Sequence, residues 1–346
     1  MRSFFNFLLS LILSALLVLL ILIKFDVVQV QFGSPKKMTT DEYINNGLQL
    51  SDETLSKSIG MEDRFYYNQL SDTAKIIYDK LIEEKDVLKD GNKEIHFNRN
   101  EFDSLLLKED GMTILSEEYQ NAADAIRYDE MDLFYIDFTK MALRTITYTR
   151  GRDKSFDVYL APLDENGNYL EDNLTSIDIE IMQERIDEKT EEVLKQAQGT
   201  NYQKIQYIHD YLIDNISYDQ TYEANNNRNI YGALIFGDVV CEGYAKTFKY
   251  LLDKLEIPCI IVAGEAINSD GVAENHMWNY VKINDIWYSM DVTWDDPIMS
   301  NGGTLPEEYR YKYFCQGDNI NDNHILSSTI TKNGQSYEYP ELYHKD

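Results

Sequence analysis

The chain has 346 residues, 43% of them hydrophobic and 12% aromatic, which suits about two folded units with real cores and excludes disorder as the default. With 32 basic residues against 60 acidic ones the formal net charge is −28, and a surface this acidic repels phosphate backbones, so nucleic acid is not expected as a partner. The three cysteines, Cys241, Cys259 and Cys315, form no C-x-x-C pair, and H-E-x-x-H, G-x-x-x-x-G-K and G-x-G-x-x-G runs are absent, so neither a metal nor another cofactor is expected.

From Phe4 to Ile23 the chain is almost continuously apolar, broken by Asn6, Ser10 and Ser14, and a helix of that length matches a hydrocarbon core of about 30 Å. Residues 4–23 therefore read as one transmembrane signal anchor. A cleaved signal peptide is the alternative, but the run passes straight into Lys24, Phe25 and Asp26 without small residues at its end. The expectation is a single-pass protein of the cell membrane with its large domain outside the cytoplasm. Residues 24–53 read as a linker, with a polar stretch at Gly33–Thr40.

Residues 54–175 read as a mixed helix and strand domain. Phe65, Leu70, Ile76, Ile77, Leu81 and Leu88 fall at helical spacing, and a second helical run covers Leu115–Ile126. Three β-rich runs follow at Leu133–Phe138, Ala142–Thr149 and Phe156–Ala161, with turns at Gly151 and Asn166-Gly167. Charges of both signs alternate here without clustering, so this region is given no catalytic role.

Residues 176–346 form the second expected domain. Ile177–Gln198 is a charged amphipathic helix, and Ile205, Ile208 and Leu212 continue the stripe in another that ends near Asn215. His209 and Asp210 lie in that helix, but neighbouring side chains point about 100° apart on a helix, so His209 reads as a surface or packed residue. Tyr222–Ile230, with three consecutive Asn, reads as a loop.

The chemistry begins at Gly237-Asp238-Val239-Val240-Cys241-Glu242-Gly243-Tyr244-Ala245. Tyr244, Phe248, Leu251, Leu252 and Leu255 then recur at helical spacing, which puts Cys241 at the first turn of a helix, where backbone N–H groups favour thiolate over thiol. A buried, inert cysteine is the alternative. Further on, two β-rich runs flank Asn284-Asp285 and read as a tight hairpin with Ile283 opposite Ile286 and Trp278 opposite Asp291. One face then carries Met277, Asn279, Val281, Ile283, Ile286, Tyr288, Met290 and Val292, the core side. The other carries His276 and Asp291 as diagonal neighbours, close enough for a carboxylate to fix the imidazole's tautomer and leave its other nitrogen free for proton transfer. Asp295 and Asp296, just before Pro297, read as turn residues.

C-x-G-Y-A opening a helix, H-x-W-x-x-V on a strand and D-V-T-W-D-D-P on the next resemble the transglutaminase-like superfamily in its bacterial branch, over about Ile205 to Pro297. The resemblance implies an α+β fold with a papain-like core, preceded here by the mixed region and the anchor. It also implies a Cys-His-Asp triad, which falls on Cys241, His276 and Asp291. Met277 stands where relatives commonly have a small residue, and Asn284-Asp285 where Asp-Gly is common. Thiol-dependent acyl chemistry on a peptide or protein substrate, such as a cell-envelope component, is the expected function. Water as acceptor gives a peptidase or amidase; an amine gives a transamidase. The oxyanion would be met by the Cys241 backbone N–H and the Tyr231 hydroxyl, although Tyr231 also reads as a packed aromatic. A non-catalytic binding or assembly module with Trp278, Trp287 and Trp294 on its surface is the alternative.

Overall fold

The computed structural model describes residues 64–164, 167–268, 271–296, 307–327 and 336–344. The anchor expected at 4–23, the linker to residue 53 and Asn166 of one expected turn lie outside the described residues. Among the described residues no helix is long and apolar enough to cross a membrane.

Helix α1, Asp72–Glu83, starts where the Ser71 side chain accepts from Ala74 N–H, and it buries Ala74, Ile77, Tyr78 and Leu81. It packs on α2, Gly111–Asp129. A three-stranded antiparallel sheet follows, with β1 (Ile95–His96), β2 (Met141–Arg150) and β3 (Asp153–Pro162) in the order β1-β3-β2. The strand expected at Leu133–Phe138 is absent. That run forms 3-10 turns at Met131–Leu133 and Phe138–Lys140, with only an isolated bridge from Ile136 to Leu170. Leu133, Tyr135 and Ile136 are all buried, so the run lacks the two-faced alternation of a strand.

Helices α3 (Ser176–Leu194) and α4 (Asn201–Asn215) fall close to their expected spans. Each opens with a reciprocal cap, Thr175 with Asp178 and Thr200 with Gln203. Two short strands, β4 (Ser217–Tyr218) and β5 (Asp238–Val239), pair in parallel just ahead of α5, Cys241–Lys254. The chain then builds an antiparallel sheet from β6 (Cys259–Ile267), β7 (Ala273–Ile283), β8 (Ile286–Met290) and β9 (His324–Leu326), ordered β8-β7-β6-β9.

The hairpin register is the expected one, with Ile283 opposite Ile286, Tyr280 opposite Ser289 and Asn279 opposite Met290. Asn284 and Asp285 both take positive φ, 50° and 64°, as the tightest hairpin turn requires. The second strand is shorter than expected. Asp291 leaves the ladder because its Oδ1 accepts from Trp294 N–H at 3.1 Å, closing a local turn that competes with strand pairing.

The sheet is also covered on both faces, where the alternation had suggested one. On the α5 side Asn279 Nδ2 donates to the Ala245 carbonyl at 3.0 Å. On the other side Ile260, Val262, Trp278 and Tyr280 form a buried cluster capped by Phe65, Trp287, Tyr339 and Leu342. These caps come from distant parts of the chain. Tyr66, next to Phe65, donates its hydroxyl to the Ile261 carbonyl. The hairpin that carries His276 is therefore part of a doubly covered sheet.

Candidate functional site

Val240 is extended, at φ −90° and ψ 178°, and Cys241 is the first residue of α5, partly exposed and not in a disulfide. The thiol thus sits among helix N-terminal N–H groups without an intrahelical acceptor. Gly243, one turn position on, has a packing reason: a Cβ there would lie 2.5 Å from Val239 Cβ and 2.9 Å from the Asn227 carbonyl oxygen. Any larger residue would push the start of the helix off β5.

His276 stands on β7 opposite Gly264 and is 8% exposed. Its Nε2 lies 2.7 Å from Asp291 Oδ2, which fixes the proton on Nε2 and leaves Nδ1 as the free nitrogen. The Cys241 thiol adjoins the ring. Burial works against a charged imidazole, but the Asp291 carboxylate and Cys241 outweigh it and raise the His276 pKa to about 10. Burial likewise opposes the Asp291 charge, and His276 with His324 overcomes it, holding the carboxylate well below the usual range.

His324 had no place in the sequence reading. It lies on β9, fully buried, and its Nε2 is 2.9 Å from the same Asp291 Oδ2. Trp294 flanks both imidazoles, with ring centroids 5.4 Å from His276 and 4.7 Å from His324, and Trp278 lies 4.9 Å from His324. Trp278 is 1% exposed, so it belongs to this wall and supplies no binding surface.

Tyr231 is buried. Its hydroxyl accepts from Arg185, whose guanidinium lies over the ring at 5.4 Å, and the ring stacks on Phe134. It lines a cavity with Asp172, Asn173, Met182 and Asn226, which includes no triad candidate. The aromatic alternative describes Tyr231 better than the donor role. The tyrosine beside Cys241 is Tyr218 on β4, brought there by the pairing of Tyr218 with Val239. Burial raises its pKa first, followed by a hydrogen bond with Tyr222 and the nearness of Cys241. The sequence signal was slight: a lone tyrosine after a helix end, in a run with no period.

Asp295 and Asp296 lie in the expected turn, but their carboxyls point into the protein. Asp295 is fully buried, with His209 Nε2 at 3.1 Å from its Oδ2 and the Tyr313 N–H donating to its Oδ1 at 2.7 Å. His209 is buried as well and has Asp210 Oδ1 at 3.1 Å from its Nδ1. Asp296 accepts from the Tyr244 hydroxyl at 2.6 Å.

His276, Asp291 and His324 offer ligand atoms within 4.8 Å of one another, a set that could compose a metal site. The two N···O distances of 2.7 and 2.9 Å are those of hydrogen bonds. Zinc bonds of about 2.0–2.1 Å would spread tetrahedral ligands to roughly 3.3 Å, so the trio is arranged to share protons.

Residues 188–292 match the family model of the transglutaminase-like superfamily, so a transglutaminase-like domain lies within this mixed α+β fold. Among solved structures, a TGase crystal structure is 16% identical over 51% of this chain and 50% of its own, with a TM-score of 0.31. A proposed cysteine protease from Cytophaga hutchinsonii is 14% identical over 44% of this chain and 62% of its own, with a TM-score of 0.27. The matches thus span half of the first neighbour and less than two thirds of the second. No curated protein matches the chain.

Proposed function

We propose that this protein carries out thiol-dependent acyl chemistry on amide bonds of peptides or proteins, with Cys241 as nucleophile, His276 as base and acid, and Asp291 as the group that orients His276. One observation carries the reading: Asp291 lies 2.7 Å from His276 Nε2, and the same imidazole neighbours a cysteine at a helix N-terminus. With its proton already held on His276, the Cys241 sulfur attacks the carbonyl carbon, and His276 gives that proton to the leaving amine as the C–N bond breaks. Water, or a second amine, then resolves the thioester. The Cys241 N–H and the Tyr218 hydroxyl would meet the oxyanion. With residues 4–23 as an anchor, the substrate would be a peptide of the cell envelope.

Iodoacetamide labelling tests this, read by mass spectrometry across pH. Cys241 should alkylate well below the free-thiol pKa of about 8.5, whereas Cys259 and Cys315, whose pKa values burial raises, should stay unlabelled. Cys241→Ala should abolish amide turnover with the fold intact. A Cys241 that titrates as an ordinary thiol would overturn the reading.

A further inference from the structure

We infer that the site has a fourth member: His324 is a positioning residue that acts through Asp291. This rests on the triad reading above. The Asp291 carboxylate is held by three donors from three places in the chain, His276 Nε2 and His324 Nε2 on Oδ2 and the Trp294 N–H on Oδ1. The bond from His324, at 2.9 Å, pins Oδ2 where it meets His276. Since neither Asp291 Oδ2 nor the Asn323 side-chain oxygen can donate, each of these hydrogen bonds takes an N–H of the His324 ring.

His324 is itself held in place. Its Nδ1 is 2.8 Å from the Asn323 side-chain oxygen, and Asn323 Nδ2 donates to the Tyr313 hydroxyl at 3.1 Å. Its backbone is set by β9, which reaches β6 only because Gly264 has no side chain: a Cβ there would lie 2.1 Å from the Ile325 carbonyl oxygen. The other titratable groups facing the His276–Asp291 pair are Cys241, Asp295 and Tyr313. Among the described residues, none of these three hydrogen-bonds to the Asp291 side chain, whereas His276 and His324 both do.

A purely structural role for His324, as filler among Trp278, Trp294 and Tyr313, makes a different prediction. His324→Phe keeps an aromatic ring there and deletes the donor, and His324→Gln restores a donor near the Nε2 position. In the full chain, the rate constant for alkylation of Cys241 by iodoacetamide is measured against pH for both variants and the wild type, alongside thermal melts. His324→Phe should lower the rate about tenfold near pH 6 and move the profile toward that of a free thiol, whereas His324→Gln should stay within about threefold. If His324→Phe does not fold, His324→Asn takes its place, since its shorter amide stops short of Oδ2, and it should show the same loss. A His324→Phe profile that overlays the wild type, whatever its melting temperature, overturns the positioning role. An ordinary-thiol profile in the wild type would instead bring down the triad reading and this inference with it.

Discussion

Asp295→Ala should destabilise the protein severely while leaving the Cys241 chemistry in the folded fraction unchanged. In the native state its carboxylate takes the His209 Nε2–H at 3.1 Å and the Tyr313 N–H at 2.7 Å, with no solvent access to either side chain of the pair. Truncation strands two buried donors, at about 1–3 kcal/mol each. Counted as one partner removed from a buried ion pair, the same loss is about 3–5 kcal/mol. Both routes describe one event, so the expected cost is about 4 kcal/mol, a large share of a typical stability of about 5–15 kcal/mol. The pH dependence has a defined sign. Burial opposes the charge on His209, but Asp210 and Asp295 raise its pKa in the fold. A raised folded pKa contributes fully below the unfolded value of about 6.5 and is lost as the pH climbs through the folded one. Burial also pushes the Asp295 carboxyl up to about 7, a shift of the same sign, so the gap between variant and wild type should be widest at low pH, toward about 4, and narrow as the pH rises through about 7. Urea denaturation followed by tryptophan fluorescence at several pH values measures both. A loss under about 1 kcal/mol, or one that widens with pH, would refute the buried-pair account.

Asp291→Asn should lower kcat by roughly 10³–10⁴ with circular dichroism unchanged, because an amide favours the wrong tautomer of His276 and cannot stabilise its charged form. An equal loss in Asp295→Asn would contradict the division between the two carboxylates. Tyr218→Phe should cost about 10² in kcat with little change in KM, whereas Tyr231→Phe should turn over normally; steady-state kinetics of the pair decide which hydroxyl meets the oxyanion. Gly264→Ala should push β9 away and reproduce the slow, pH-shifted alkylation expected of His324→Phe, and a wild-type profile would show that the strand yields without moving His324.

What the sequence made legible follows its local patterns. Periodic apolar spacing located α3, α4 and α5 to within a few residues, and the turn at Asn284-Asp285 fixed the β7–β8 register through simple counting. That register brought His276 and Asp291 to one end of the sheet, although Asp291 reaches His276 from a turn and not from the paired strand expected. What escaped depends on long-range packing. His324 sits in Asn321-Asp322-Asn323-His324, a polar run without period, and its role exists only because β9 pairs with β6 some sixty residues earlier. Tyr218 was invisible for the same reason, since a two-residue parallel pairing leaves no trace in alternation. His209 is packed and Asp295 lies in a turn, both within what the sequence offered, but only the third dimension shows them facing each other. That Phe65 and Leu342 cover the second face of the sheet left no local sign in the sequence.

The turn from Asp291 to Asp295 has a consequence for the order in which the molecule can mature. Its two carboxylates are gripped by histidines from three stretches of chain, and the one on β9 leaves the ribosome after every other member of the site. A nascent chain ending at residue 292, where the family match stops, has its cysteine, its base and its aspartate but lacks the strand that steadies the aspartate. Under the reading proposed above, the thiol would gain full reactivity only once synthesis had passed residue 326, so incomplete chains would be poorly armed against the proteins around them.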